Sequence, residues 1–234
     1  MKKLATLLAL VAMVGMANAA DFTQVGYTAE PGEVIGGGLD ECTGTLVYNH
    51  DYTFENGYAW QYGGVEPPYY GAFAEGFAQD AANIQCVALW LTDVGLYMGG
   101  PCDVYIWEGG VTDLPGAVLT VMTGVDPGAP AFWPTISQHD VDIPDYSFAG
   151  GEMTVGYWGD WPGAGTQWYC GADQDGFGGN PWTNLAPGSG YGTGWADPSI
   201  ITSWGTTMSM GLGYYWDMGT PAESATWGSI KALF

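Results

Sequence analysis

Two histidines, His50 and His139, are the only side chains of this chain that titrate near neutral pH without help from their surroundings. Neither lies in a G-x-S-x-G or an H-E-x-x-H segment. A serine or zinc hydrolase needs at least part of such a set, so both are read as surface or turn residues. Glycoside hydrolysis asks for less, two carboxylates flanking the scissile bond. Glu55, Glu66, Glu75 and Glu152 are available, with Glu55 and Glu66 inside the aromatic stretch 52–70. No strand carries alternating acids that would point together into one cleft. Solvated carboxylates on an acidic surface account for the same residues, and catalysis has no named residue here.

The aromatic side chains are a stronger signal. There are 12 Trp and 15 Tyr against 8 Phe, so most rings carry a polar handle. Such rings stack on sugar faces while their N–H and O–H groups position hydroxyls. The candidate ligand-binding residues are Trp60, Tyr62, Tyr69, Tyr70, Trp158, Trp161, Trp168, Trp182 and Trp195. The competing reading is that these rings pack glycine-rich loops onto the fold. A calcium site is the other chemical possibility. Asp173-Gln174-Asp175-Gly176, with Asn180 beyond, alternates acids ahead of a glycine, and calcium takes several oxygen ligands from a flexible loop. No glutamate closes the loop at EF-hand spacing, and plain Asx turns suit the same residues.

Charge narrows the partners. The formal net charge is −22, from 25 carboxylates and three lysines, with no arginine at all. A chain so poor in cations cannot grip phosphates, which excludes nucleic acid, and an anionic membrane surface repels it. With 47% hydrophobic and 15% aromatic residues, the acidity belongs to a folded surface rather than to a disordered chain. Screening falls to solvent cations or bound metal.

The first 19 residues read as a cleavable secretory signal: Met1-Lys2-Lys3, an apolar run Leu4–Met16, then Ala17-Asn18-Ala19. That run is too short to span a bilayer, which needs roughly twenty residues, and no later stretch suffices, so no membrane insertion is expected. Residues 20–234 then form one domain, secreted to the extracellular space or cell envelope, with Lys231 its one cation. Export makes disulfides credible for Cys42, Cys86, Cys102 and Cys170: an even number, two bridges, three pairings open.

These residues need elements to hold them. Glycine (39) and proline (14) punctuate the whole chain, and helical periodicity is nearly absent; the one short candidate is Glu75–Asn83. Strand signals are frequent instead. Met208, Met210, Leu212 and Tyr214 alternate with small residues, as do Met153, Val155 and Tyr157. Ile84–Leu91 is apolar on both faces, as in a central strand, and Cys102–Trp107 follows it across a glycine-rich hairpin link at Tyr97–Pro101. Further runs lie at Thr45–Tyr48, Tyr58–Tyr62, Tyr70–Phe77, Ala117–Met122, His139–Ile143, Gln167–Cys170 and Thr226–Leu233. About ten strands separated by turn signals predict an antiparallel β-sandwich. Residues 20–57 read as irregular, and 159–206 as a long Gly/Trp-rich loop region.

One combination of segments resembles a known group. Val104-Tyr105-Ile106-Trp107, the turn Leu114–Leu119 and the strand Met153–Tyr157 are similar to a module of uncharacterised bacterial exported β-sandwich proteins, as is the ending Trp227–Leu233. The resemblance implies a jelly-roll-like fold and an extracellular setting, and brings no catalytic residues. The expected function is a secreted, non-catalytic module that binds carbohydrate or another cell-surface polymer. A self-assembling matrix or envelope protein is the alternative and a glycoside hydrolase the second.

Overall fold

The computed structural model describes residues 22–26, 28, 34–36, 42–60, 69–159 and 167–218. The expected signal segment, Tyr62, Glu66, Trp161, the Thr226–Leu233 run and all three lysines lie outside them. The described chain is nearly all β. Its strands are β1 (Phe22–Gln24), β2 (Val34–Ile35), β3 (Thr45–Tyr48), β4 (Asn56–Trp60), β5 (Phe73–Gln79), β6 (Ala82–Asp93), β7 (Cys102–Glu108), β8 (Val118–Val125), β9 (Ala131–Phe132), β10 (Ile136–Phe148), β11 (Gly151–Trp158), β12 (Tyr169–Asp173), β13 (Pro181–Leu185), β14 (Gly194–Ala196), β15 (Ser209–Met210) and β16 (Leu212–Asp217). A single 3₁₀ turn, Pro198–Ile200, is capped by the Asp197 carboxylate, which accepts from the Ser199 N–H. No described helix is long and apolar enough to cross a membrane.

The strands form two sheets. The larger has ten strands around the row β1-β4-β12-β6-β10-β2, with β16 carrying β3 alongside β6, β15 on β12 and β9 on β6. The smaller runs β14-β13-β5-β11-β7-β8. All the long pairings are antiparallel; only the two-residue pairs β2–β10 and β6–β9 are parallel. This is the all-β, sandwich-like architecture expected from the turn-punctuated strand runs.

Period-two alternation places the core. In β7, Cys102, Val104 and Ile106 point inward, as do Met153, Val155 and Tyr157 of β11. They meet Val87, Leu89 and Leu91 of β6 and Leu212 and Tyr214 of β16, so the main core draws on both sheets. β6 is buried on both sides, with Ala88 and Trp90 entering a second cluster that includes Phe54 and Ile136. A fully buried side chain of this kind stabilises by about 1.5–3 kcal/mol, which explains why β6 carries apolar residues on both faces.

Three expectations change. The Glu75–Asn83 segment is not helical: Phe73, Glu75 and Phe77 are all buried in β5, and alternation across the sheet outweighs a short helical pattern. The chain turns at 80–81 and enters the other sheet as β6. A parallel corner at 149–150 lies against it, and Gly150 (φ +94°) is required there, because a Cβ would meet the Ala81 nitrogen at 3.0 Å. Likewise the Tyr97–Pro101 segment is no hairpin link, since β6 and β7 belong to different sheets and the segment crosses between them. Finally, the regions read as irregular contain short strands besides the expected Thr45–Tyr48 run: β1 and β2 near the N-terminus, and β13 and β14 within 159–206.

One disulfide is formed, Cys42–Cys86, with Cα atoms 5.7 Å apart. Cys102 and Cys170 are free, buried thiols, contrary to the expected second bridge. They sit on different sheets inside the main core, where burial pushes both thiols up and keeps them un-ionised.

Candidate functional site

The outer face of the smaller sheet gathers aromatic side chains. Tyr105 and Trp107 alternate with the inward residues of β7 and so face out, as Trp158 does on β11 and Trp182 on β13. Trp195 projects from β14 and Tyr69 from the turn before β5. Between them lie small residues, Ala72, Ala74 and Gly156 among them, which form a floor. Gly156 is obligatory: an added Cβ would lie 2.1 Å from the Phe73 carbonyl oxygen and 2.7 Å from Ala74 Cα.

The rings pack in contact. Tyr105 stacks on Trp107 (centroids 4.9 Å, planes 10° apart), Trp195 meets Trp107 edge-on at 5.0 Å, and Tyr69 lies 6.0 Å from Trp195 at 28°. Trp107 is fully buried and Trp158 nearly so, whereas Tyr69, Tyr105, Trp182 and Trp195 are half-buried. Two indoles are pinned through nitrogen, Trp158 donating to the Tyr70 carbonyl and Trp182 to that of Gly110, both at 2.9 Å. Asn184 sits opposite Trp195 in the β13–β14 ladder and shares the outward side with Trp182. Its Oδ1 is buried with no hydrogen-bond partner among the described residues.

Of the aromatic candidates, Tyr69, Trp158, Trp182 and Trp195 therefore come together, with Tyr70 beside them through its backbone. Trp60 and Trp168 do not. Trp60 is buried in the core and donates to Thr183 Oγ1 at 3.1 Å. Trp168 is fully buried in the core beside Tyr97 and Tyr157. Tyr105 and Trp107 belong to the face but are absent from the candidates drawn from sequence. The strict alternation of Cys102-Asp103-Val104-Tyr105-Ile106-Trp107 was the signal that places them.

A second site is acidic. β12 pairs with β4 so that Ala172 lies opposite Asn56, which puts Asp173 beside Glu55. Carboxylate oxygens of Glu55, Asp173 and Asp175 lie within 4.8 Å of one another. Glu55 and Asp173 are buried and Asp175 is exposed. Asp173 Oδ1 accepts from the N–H groups of Asp175 and Gly176, and its Oδ2 from Asp51. Glu55 Oε2 accepts from the Gln174 N–H at 2.7 Å, but Oε1 has no partner among the described residues. Burial pushes both carboxyls above the usual range, and these hydrogen bonds oppose it. Asn180 donates elsewhere through both of its nitrogens, its backbone N–H to Glu75 and its amide to the Gly76 carbonyl.

The remaining candidate acids among the described residues, and both histidines, have structural roles. Glu75 is fully buried and joins three segments, accepting from Asn49 Nδ2, Asn180 N and Met210 N; burial lifts it to about 7. Glu152 lines a cleft of about 500 Å³ with Glu108 and Asp113. The N–H groups of Val111 and Thr112 hold it below its ordinary value, the opposite of what a general acid requires. His50 is no surface residue: it is fully buried among Tyr48, Tyr52, Phe54 and Trp90, and desolvation lowers it to about 3. His139 Nδ1 donates to the Pro127 carbonyl, and its Nε2 lies 2.6 Å from Ser137 Oγ. This pair resembles a serine–histidine dyad, but Ser137 is buried and its oxygen already accepts from the Ala131 N–H, so it ties the β9–β10 turn. Comparison with protein-family models, with curated proteins and with solved structures returned no match.

Proposed function

We propose that the protein is a secreted β-sandwich module that binds carbohydrate through the outer aromatic face of its smaller sheet. The observation that carries this reading is the ring of half-buried Tyr69, Tyr105, Trp182 and Trp195 around Trp107, above a floor of Ala72, Ala74 and Gly156. Pinned, preordered rings offer flat apolar area at small entropic cost, which suits the faces of pyranose rings. The net charge of −22 favours a neutral or cationic glycan over a sulfated or uronic one. Secretion is the setting in which this activity has a target, and the single disulfide suits it.

A glycan array probed with the purified protein and with Trp195→Ala tests the proposal. The expected result is retention of at least one neutral or amino-sugar polymer, weakened roughly tenfold or more by the substitution. An array with no bound glycan, or equal binding by both proteins, overturns it.

A further inference from the structure

We propose that Glu55, Asp173 and Asp175 hold a divalent cation, calcium, which fastens the loop after β12 to the start of β4. Acidic side chains commonly cluster without a metal, and Asp173 alone is explained by the turn that wraps it. Glu55 is not. It is 2% exposed, and its Oε1 has no hydrogen-bond partner among the described residues. A buried carboxylate oxygen without a donor needs a proton or a cation.

Among the described residues no lysine or arginine supplies a positive charge: the chain's lysines are at positions 2, 3 and 231, and it has no arginine. His50 and His139 are kept neutral by burial. Asp51, whose N–H donates to Asp173, adds another negative charge nearby. Up to three negative charges within 4.8 Å therefore face no positive side chain among the described residues.

The donor set selects the metal. The converging side-chain atoms are all carboxylate oxygens, without the imidazole or thiolate that zinc and copper favour. One of the three carboxylates is exposed on a short loop, leaving room for water and backbone carbonyls to complete the six to eight ligands of calcium. Magnesium demands a tighter octahedron and gives up its waters reluctantly. The site also touches the fold beyond the loop. Gln174, whose N–H holds Glu55, donates through its side chain to the Tyr58 hydroxyl and the Trp204 carbonyl, and these two rings stack at 4.1 Å.

The test is thermal unfolding of the full chain in EDTA and then in Ca²⁺, Mg²⁺ or NaCl at matched ionic strength, with Tb³⁺ luminescence sensitised by Trp204 and Tyr58 as a direct reading. Calcium at about a hundred times its dissociation constant should raise Tm by about 5–10 °C, saturably and reversibly with EDTA. Glu55→Gln and Asp175→Asn should each weaken Ca²⁺ and Tb³⁺ binding about tenfold or more. Asp175 is exposed, so its variant reports on binding even if Glu55→Gln folds poorly. A wild-type Tm that follows ionic strength alone would overturn the proposal. So would a calcium response unchanged in Asp175→Asn and in any folded Glu55→Gln.

Discussion

Glu75→Gln separates the stability of this protein into a part that follows one proton and a part that does not. Burial raises Glu75 from 4.5 to about 7 in the folded chain. A carboxyl whose pKa is raised on folding favours the folded state below its unfolded value and loses that contribution as pH rises through the folded one. Between pH 4.5 and 7.5 the loss is about 3 kcal/mol, at about 1.4 kcal/mol per pH unit. Wild type alone would not reveal it. His50, lowered to about 3, costs stability as pH falls below 6.5, which offsets Glu75 over the same range. The variant isolates the Glu75 component, because the histidines and the other buried acids are common to both proteins. Gln keeps the acceptor for Asn49 and Asn180 but turns its amide toward the Met210 N–H, a mismatch costing about 1–3 kcal/mol at every pH. Urea unfolding followed by tryptophan fluorescence, in EDTA at fixed salt, reads the difference. The variant should be the less stable protein at pH 4.5 and gain about 3 kcal/mol on wild type by pH 7.5. A gap that does not change with pH would refute the argument.

Three other outcomes follow from the same contacts. Ellman's reagent should find no reactive thiol in the native protein and two after unfolding without reductant, Cys102 and Cys170; none after unfolding would mean that they are bridged. Replacing Cys42 and Cys86 together by Ser should lower stability by up to about 4 kcal/mol, from the loop of 44 residues they close, read as a shift in the urea midpoint. Gly156→Ala should cost about 1–3 kcal/mol or more, since its Cβ meets backbone rather than a movable side chain; a variant as stable as wild type would show that the sheet can part there.

The strands were readable where one face decides the pattern. Met153-Thr154-Val155-Gly156-Tyr157 and the two-sided Ile84–Leu91 run are alternation and burial written directly into residue types, and both appear as β11 and β6. Glu75–Asn83 misleads because it combines a β5 segment with the corner at 80–81 and the start of β6, a change of sheet that no local period marks. Trp60 and Trp168 look like the other tryptophans, yet one points into the core and the other lies wholly within it. Which side of a strand becomes the core is set by the sheet packed against it. Tyr105 and Trp107 were recoverable by alternation once Val104 and Ile106 were taken as inward. The acidic group was half visible: Asp173 and Asp175 share a loop, whereas Glu55 reaches them only through the β4–β12 ladder. Asn180, also chosen by its spacing, donates through its nitrogens to Glu75 and Gly76.

The most direct test of the central claim is calorimetric titration of the best polysaccharide from the array into wild type, Trp195→Ala and Phe132→Ala. Phe132 is 68% exposed on the other sheet and serves as the control ring. Binding by wild type and Phe132→Ala, with roughly tenfold or greater loss in Trp195→Ala, is the predicted result. Equal affinity in all three proteins, or loss in Phe132→Ala instead, would contradict the assignment of the ligand to the aromatic face.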